Sequence, residues 1–96
     1  MTSPKVQAIR DAAGTLTGWV FFCPACGFHH KFSTEWTFNC DLERPTFSPS
    51  LVVRYPIDGA GKVCHLTVTD GVIKFLPDCT HAMAGQDSLM VDIHSV

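Results

Sequence analysis

Gly18-Trp19-Val20-Phe21-Phe22-Cys23-Pro24-Ala25-Cys26-Gly27 sets an apolar, aromatic run directly before two cysteines two residues apart. Thiols at this spacing can grip one tetrahedral metal ion, and Gly27 lets the backbone fold back so that amides approach the sulfurs. The β-branched and aromatic residues of 15–22 predict a strand that delivers this knuckle. Phe28-His29-His30-Lys31-Phe32 alternates as a returning strand, so the fold begins as strand, knuckle, strand.

Such a grip needs a second half, and the sequence offers one downstream. Cys64-His65-Leu66-Thr67-Val68-Thr69, Asp70-Gly71, Val72-Ile73-Lys74-Phe75-Leu76 reads as a hairpin, because Asp-Gly between β-prone runs suits a type I′ turn. With Asp70 and Gly71 as the loop, Thr69 faces Val72, Val68 faces Ile73 and Leu66 faces Phe75. Cys64, Leu66, Val68, Ile73 and Phe75 then share the buried face, and His65, Thr67, Thr69, Lys74 and Leu76 take the polar one. Cys64 sits at the open end of the hairpin, where Cys79 emerges beside it. Zinc on Cys23, Cys26, Cys64 and Cys79 is the expected site, and iron fits the same thiolates. His30, His65 and His81 are alternate ligands or partners that orient a ligand, with His81 favoured by its place two residues from Cys79. His29 and His94 are read as solvated.

Composition sets the frame for this staple. Ninety-six residues, 46% apolar and 17% charged, make one small domain with a compact core rather than a charged tail. A formal charge of −2 with scattered Lys and Arg gives nucleic-acid binding no support. The apolar runs are too short to span a bilayer and the N-terminus lacks signal-peptide order, so the expectation is an unexported chain in a reducing cytosol. Five cysteines would leave one thiol over in a disulfide framework. Cys40 has no partner at metal spacing and is read as a free thiol or small buried residue.

Elsewhere the elements are plainer. Residues 1–14 form an N-terminal arm or edge segment, and 15–96 the zinc-stapled β domain. Pro45 and Pro49 make 42–50 an ordered loop or edge. Leu51 to Tyr55 is a strand, residues 56–61 a turn, 78–85 a helical turn capped by Asp78 and stopped by Gly85, and 89–96 a closing strand. The fold class is therefore mainly β, a single-domain rolled sheet or β-sandwich with a zinc-ribbon-like Cys-x-x-Cys knuckle and an Asp-Gly hairpin.

Several chemistries lack their signatures. A redox Cys-x-x-Cys should open a helix, which Gly27-Phe28-His29-His30 does not. Neither the His-x-Glu of zinc deaminases nor His-Glu-x-x-His occurs. A zinc hydrolase with an open metal position is the enzyme alternative, with Glu35, Asp41 or Asp78 to handle protons. No residue is assigned as catalytic on this reading, and Trp19, Trp36, Phe38 and Phe47 are read as core before binding platform.

Phe22-Cys23-Pro24-Ala25-Cys26-Gly27 with His30, Trp36-Thr37-Phe38-Asn39, Arg44-Pro45-Thr46-Phe47-Ser48-Pro49-Ser50, Cys64-His65 and Asp78-Cys79-Thr80-His81-Ala82-Met83-Ala84-Gly85 together resemble a family of small phage and prophage proteins. Some members carry the label ammonia monooxygenase, a chemistry of copper in a membrane complex that a thiolate knuckle does not match. The family pattern has Gly at Ala25 and usually at Cys40. The resemblance implies phage origin and not a mechanism; the expected function is an accessory phage protein that acts by binding, a virion component or a modulator of a host protein, located in the bacterial cytoplasm or the virion. Its protein partner would be a phage structural protein or a host factor, met by the loops at 44–50 and 58–61.

Overall fold

The computed structural model describes residues 4–57 and 60–95. Among the described residues eight strands follow one another: β1 (Gln7–Arg10), β2 (Leu16–Cys23), β3 (Phe28–Ser33), β4 (Thr37–Phe38), β5 (Phe47–Ile57), β6 (Ala60–Thr69), β7 (Val72–Phe75) and β8 (Asp87–Leu89). They form two antiparallel meanders, a sheet of β1-β2-β3 and a sheet of β4-β5-β6-β7-β8. The mainly β reading holds, as two packed sheets. Among the described residues there is no α-helix, and no helix long and apolar enough to cross a membrane.

The faces meet where the alternation of each strand puts large apolar groups. Phe21 and Phe32 of the first sheet and Phe47, Leu66, Val68, Ile73 and Phe75 of the second are buried. Phe32 stacks on Phe47 with ring centroids 4.1 Å apart, and Phe38 covers Phe47 at 4.4 Å. Each such aromatic pair contributes about 0.5–1.5 kcal/mol beyond its burial. Phe32 thus joins the two sheets at this aromatic end, and Trp19 belongs to the same packing, 4.8 Å from Phe38. Gly18 is needed there for close approach, since a Cβ on it would run into the Phe32 carbonyl.

The hairpin forms in the expected register, with Leu66 opposite Phe75, Val68 opposite Ile73 and Thr69 opposite Val72. Asp70 and Gly71 take φ of 53° and 77°, the double left-handed pair that a type I′ turn demands. Three expectations need correction. First, β5 starts at Phe47 and carries Pro49 within it, where the register with β6 shifts between Phe47 and Leu51. The Ser48–Pro49 peptide is cis. Pro49 is tolerated because it falls in that irregularity.

Second, residues 78–85 form turns instead of a helix. Thr80 bonds back to Val63 through both its amide and its hydroxyl, so the start of the segment is held along β6 before the chain turns at 82–85. Third, the last strand is Asp87–Leu89, and a 3-10 turn follows at Ile93–Ser95. β7 is only four residues long, so the template ends at Val72, the partner of Leu89. Met90 then bonds to Gly71, and Met90 and Ile93 enter the core while Leu89 is left exposed. Of the turn expected over 56–61, residues 56, 57, 60 and 61 pair within the β5–β6 ladder. Asp58 and Gly59, on which part of the proposed contact loop rested, lie outside the described residues.

Candidate active site and adjoining thiol cluster

Strand alternation gives β6 two chemical faces. Cys64 turns inward with no exposure, and its neighbour His65 turns outward, as the hairpin register requires. The outward imidazole is held at both nitrogens. Nε2 lies 3.0 Å from Ser50 Oγ, and Nδ1 lies 3.0 Å and 3.1 Å from the two carboxylate oxygens of Asp78. A carboxylate can only accept, so Nδ1 carries a proton toward Asp78; in the neutral imidazole Nε2 is then the acceptor, and the Ser50 hydroxyl donates to it. Such a line has the form of a hydroxyl, a base and an orienting carboxylate, an arrangement that can activate the hydroxyl as a nucleophile.

Three different elements supply the three groups. Ser50 stands in the irregular stretch of β5, its carbonyl accepting the Trp36 indole N–H at 3.3 Å. His65 comes from mid-β6, opposite Val52. Asp78 comes from the flank that follows β7, which is tied to β6 on both sides of it. Leu76 N donates to His65 O at 2.9 Å, and the Cys79 thiol receives His65 N–H at 3.2 Å and donates to His65 O at 3.1 Å. The same bonds that dock the flank therefore aim the Asp78 carboxylate. Exposure is graded along the line, with 22% for the His65 side chain and 63% for that of Asp78.

Behind this line, on the inward face, lie the thiols. Ligand atoms of Cys23, Cys26, His30 and Cys64 all fall within 4.8 Å of one another, and those of Cys64, Cys79 and His81 make a second such group. Cys23 and Cys64 are 3.9 Å apart at sulfur. Two sulfurs on one tetrahedral zinc, at about 2.3 Å each, would be separated by about 3.8 Å. His30 Nε2 is buried and has no hydrogen-bond partner. The donor set thus suits a metal ion. The hydrogen bond from Cys64 draws the Cys23 thiol well below its ordinary range, against its burial and with help from His30, while the same bond and burial push Cys64 up.

The predicted site residues are therefore divided. Cys23, Cys26 and Cys64 lie together, with His30 beside them. Cys79 stands in the other group with His81, whose Nε2 is 3.5 Å from Cys64 Sγ. His65, entertained as a ligand, is engaged by Ser50 and Asp78. Cys40 is an exposed free thiol. The sequence does not single out Ser50, because no Gly-x-Ser-x-Gly surrounds it. The available signals were the outward position of His65 in the hairpin register and the compact Pro-Thr-Phe-Ser-Pro-Ser segment, which brings a hydroxyl level with it.

A family model described as Bacterial ubiquitination-like system serine protease (BubE) matches residues 1–76. No curated protein and no solved structure matches the chain. The matched span includes Ser50 and His65 and ends two residues before Asp78. This finding overturns the expectation of a phage accessory protein acting by binding, whether virion component or host-factor modulator. It gives the ammonia monooxygenase label no support either.

Proposed function

The chain belongs to the family of the bacterial ubiquitination-like system serine protease, BubE, and from that premise we propose that it is a serine hydrolase of acyl bonds. The observation that carries this is the unbroken line from Ser50 Oγ through His65 to Asp78. Ser50 Oγ attacks the scissile carbonyl as its proton passes to His65 Nε2. Asp78 holds the imidazole in the tautomer that can accept that proton and stabilises the imidazolium that results. Collapse of the adduct breaks the C–N bond, and the leaving amine takes the proton from His65. Water, deprotonated by the same imidazole, then cleaves the Ser50 ester and releases the acid. In a ubiquitination-like system the substrate class would be an amide at the carboxyl end of a protein modifier.

In this proposal the metal is structural. Cys23, Cys26, His30 and Cys64 offer four protein donors in the interior, the closed set of a structural ion, and zinc suits that mix of sulfur and nitrogen best. Its position directly behind His65 would stiffen β6 where the base is mounted, while the reaction runs through Ser50.

A fluorophosphonate probe tests the reading. Intact and peptide mass spectrometry should place one adduct on Ser50, none on Ser50→Ala, and a slowly formed one on His65→Ala. An unlabelled wild-type protein, or an adduct on another residue, would overturn the assignment.

A further inference from the structure

The hydrogen bonds of β6 determine which way the backbone of β5 faces. His65 and Val63 both direct their N–H and C=O groups away from β5: His65 toward Leu76 and Cys79, Val63 toward Thr80. Their partners across the ladder, Val52 and Arg54, are therefore the pairs without mutual bonds, and their own N–H and C=O groups point to the opposite edge. β4 occupies that edge only at Phe47 and Ser48. Ser50 O is taken by Trp36. From Val52 to Arg54, no strand pairs with this edge among the described residues.

An open row of alternating donors and acceptors is a template for another strand. Here it begins two residues after the nucleophile. Val52 is 42% exposed, on the same outward face as His65. Resting on the serine-hydrolase reading above, we propose that this edge is the substrate-binding strand: an extended polypeptide lies antiparallel to β5, bonded to the backbone of Val52 and Arg54. Running from Arg54 toward Ser50, it delivers its carboxyl-side carbonyl to Ser50 Oγ. Recognition by main-chain bonds requires an extended acyl donor and reads its side chains only at alternate positions. It also explains the length of β5, whose outer edge continues past the two-residue β4.

The test uses the full chain, p-nitrophenyl acetate as an ester too small to need the edge, and a positional library of tetrapeptidyl aminocoumarins. Val52→Pro removes only the outward N–H, at a position where β6 receives no bond, and such an edge position tolerates proline. It should lower kcat/KM for the best tetrapeptide at least 30-fold and leave ester turnover within about twofold, while Val52→Thr keeps both. N-methylation of that tetrapeptide, assayed on the wild-type protein, should abolish cleavage at alternate residues only, which settles the matter even if the proline variant does not fold. Unchanged peptide cleavage by Val52→Pro, or an N-methyl scan without a two-residue period, would overturn the proposal. A wild-type protein that turns over the ester through Ser50 but none of the tetrapeptides would also overturn the edge, leaving the hydrolase reading intact. Ester turnover that survives Ser50→Ala would instead remove the hydrolase reading itself.

Discussion

Asp78 stands more open to water than Ser50 and His65, and its mutants should cost correspondingly less. Ser50→Ala removes the nucleophile and His65→Ala the base, so either should lower kcat/KM on an active ester by roughly 10³-fold or more. Asp78, 63% exposed, works through solvent that already screens it and can replace part of its hydrogen bond. Asp78→Asn is expected to cost only about 10- to 100-fold, read by the same assay with the fold checked by circular dichroism. Losses as deep as those of Ser50→Ala would contradict this gradation. Away from the site, Cys40 carries a φ of 63°, a left-handed backbone that costs a side-chain-bearing residue about 1 kcal/mol. The pattern that usually has Gly at this position is thereby given a physical cause. Cys40→Gly should raise Tm by several degrees, about 4–8 °C per kcal/mol in a domain of this size, and thermal melting that shows a decrease would reject the account.

The loop before β5 behaves as an element although it has no regular structure. Asn39 Oδ1 accepts the amides of Asp41 and Thr46, and Asp41 Oδ1 those of Glu43 and Arg44 at 3.0 Å. The Arg44 and then the Glu43 amide hold the Asp41 carboxyl below its ordinary range. A depressed carboxyl stabilises the fold above its unfolded value and loses that contribution as pH falls through the folded one. The protection of the Glu43 and Arg44 amides, measured against their intrinsic exchange rates, should therefore fall on acidification below the ordinary carboxylate range, and Asp41→Asn should remove that pH dependence. The loop in turn braces the hairpin, with Gly71 N donating to Pro45 O. How far such elements can be read from sequence depends on where their bonds are made. The 66–75 hairpin was legible because two turn residues set its whole register. The flank at 78–85 was not, because what keeps it from coiling is Val63, which lies 17 positions upstream of Thr80. Ser50 was hidden for the same reason: its partner is 15 positions away and no local motif marks it. The knuckle strands and Cys64 were legible, whereas the choice between His30 and Cys79 depends on which sheet face each reaches.

Across the whole molecule, the thiol cluster is a bond between sheets at the end opposite the aromatic stack. Cys23 ends β2 and His30 lies in β3, with Cys26 in the knuckle between them, whereas Cys64 belongs to β6 of the other sheet. An ion held by all four would close a loop of 41 positions between Cys23 and Cys64, a constraint on the unfolded chain worth on the order of several kcal/mol. In a domain this small that is a large share of total stability. Elemental analysis with native mass spectrometry should find one zinc per chain, and a strong chelator should lower Tm by roughly 15 °C or more, with ester turnover falling as β6 loosens beneath His65. The variants separate the two thiol groups. His30→Ala should weaken metal retention, whereas Cys79→Ser should keep the metal but loosen the flank that carries Asp78, lowering kcat/KM more than Tm. Metal loss in Cys79→Ser with full retention in His30→Ala would transfer the ion to the Cys64, Cys79 and His81 group. A wild-type chain that is metal-free and melts unchanged in chelator would leave the sheets joined by side-chain packing without an ion.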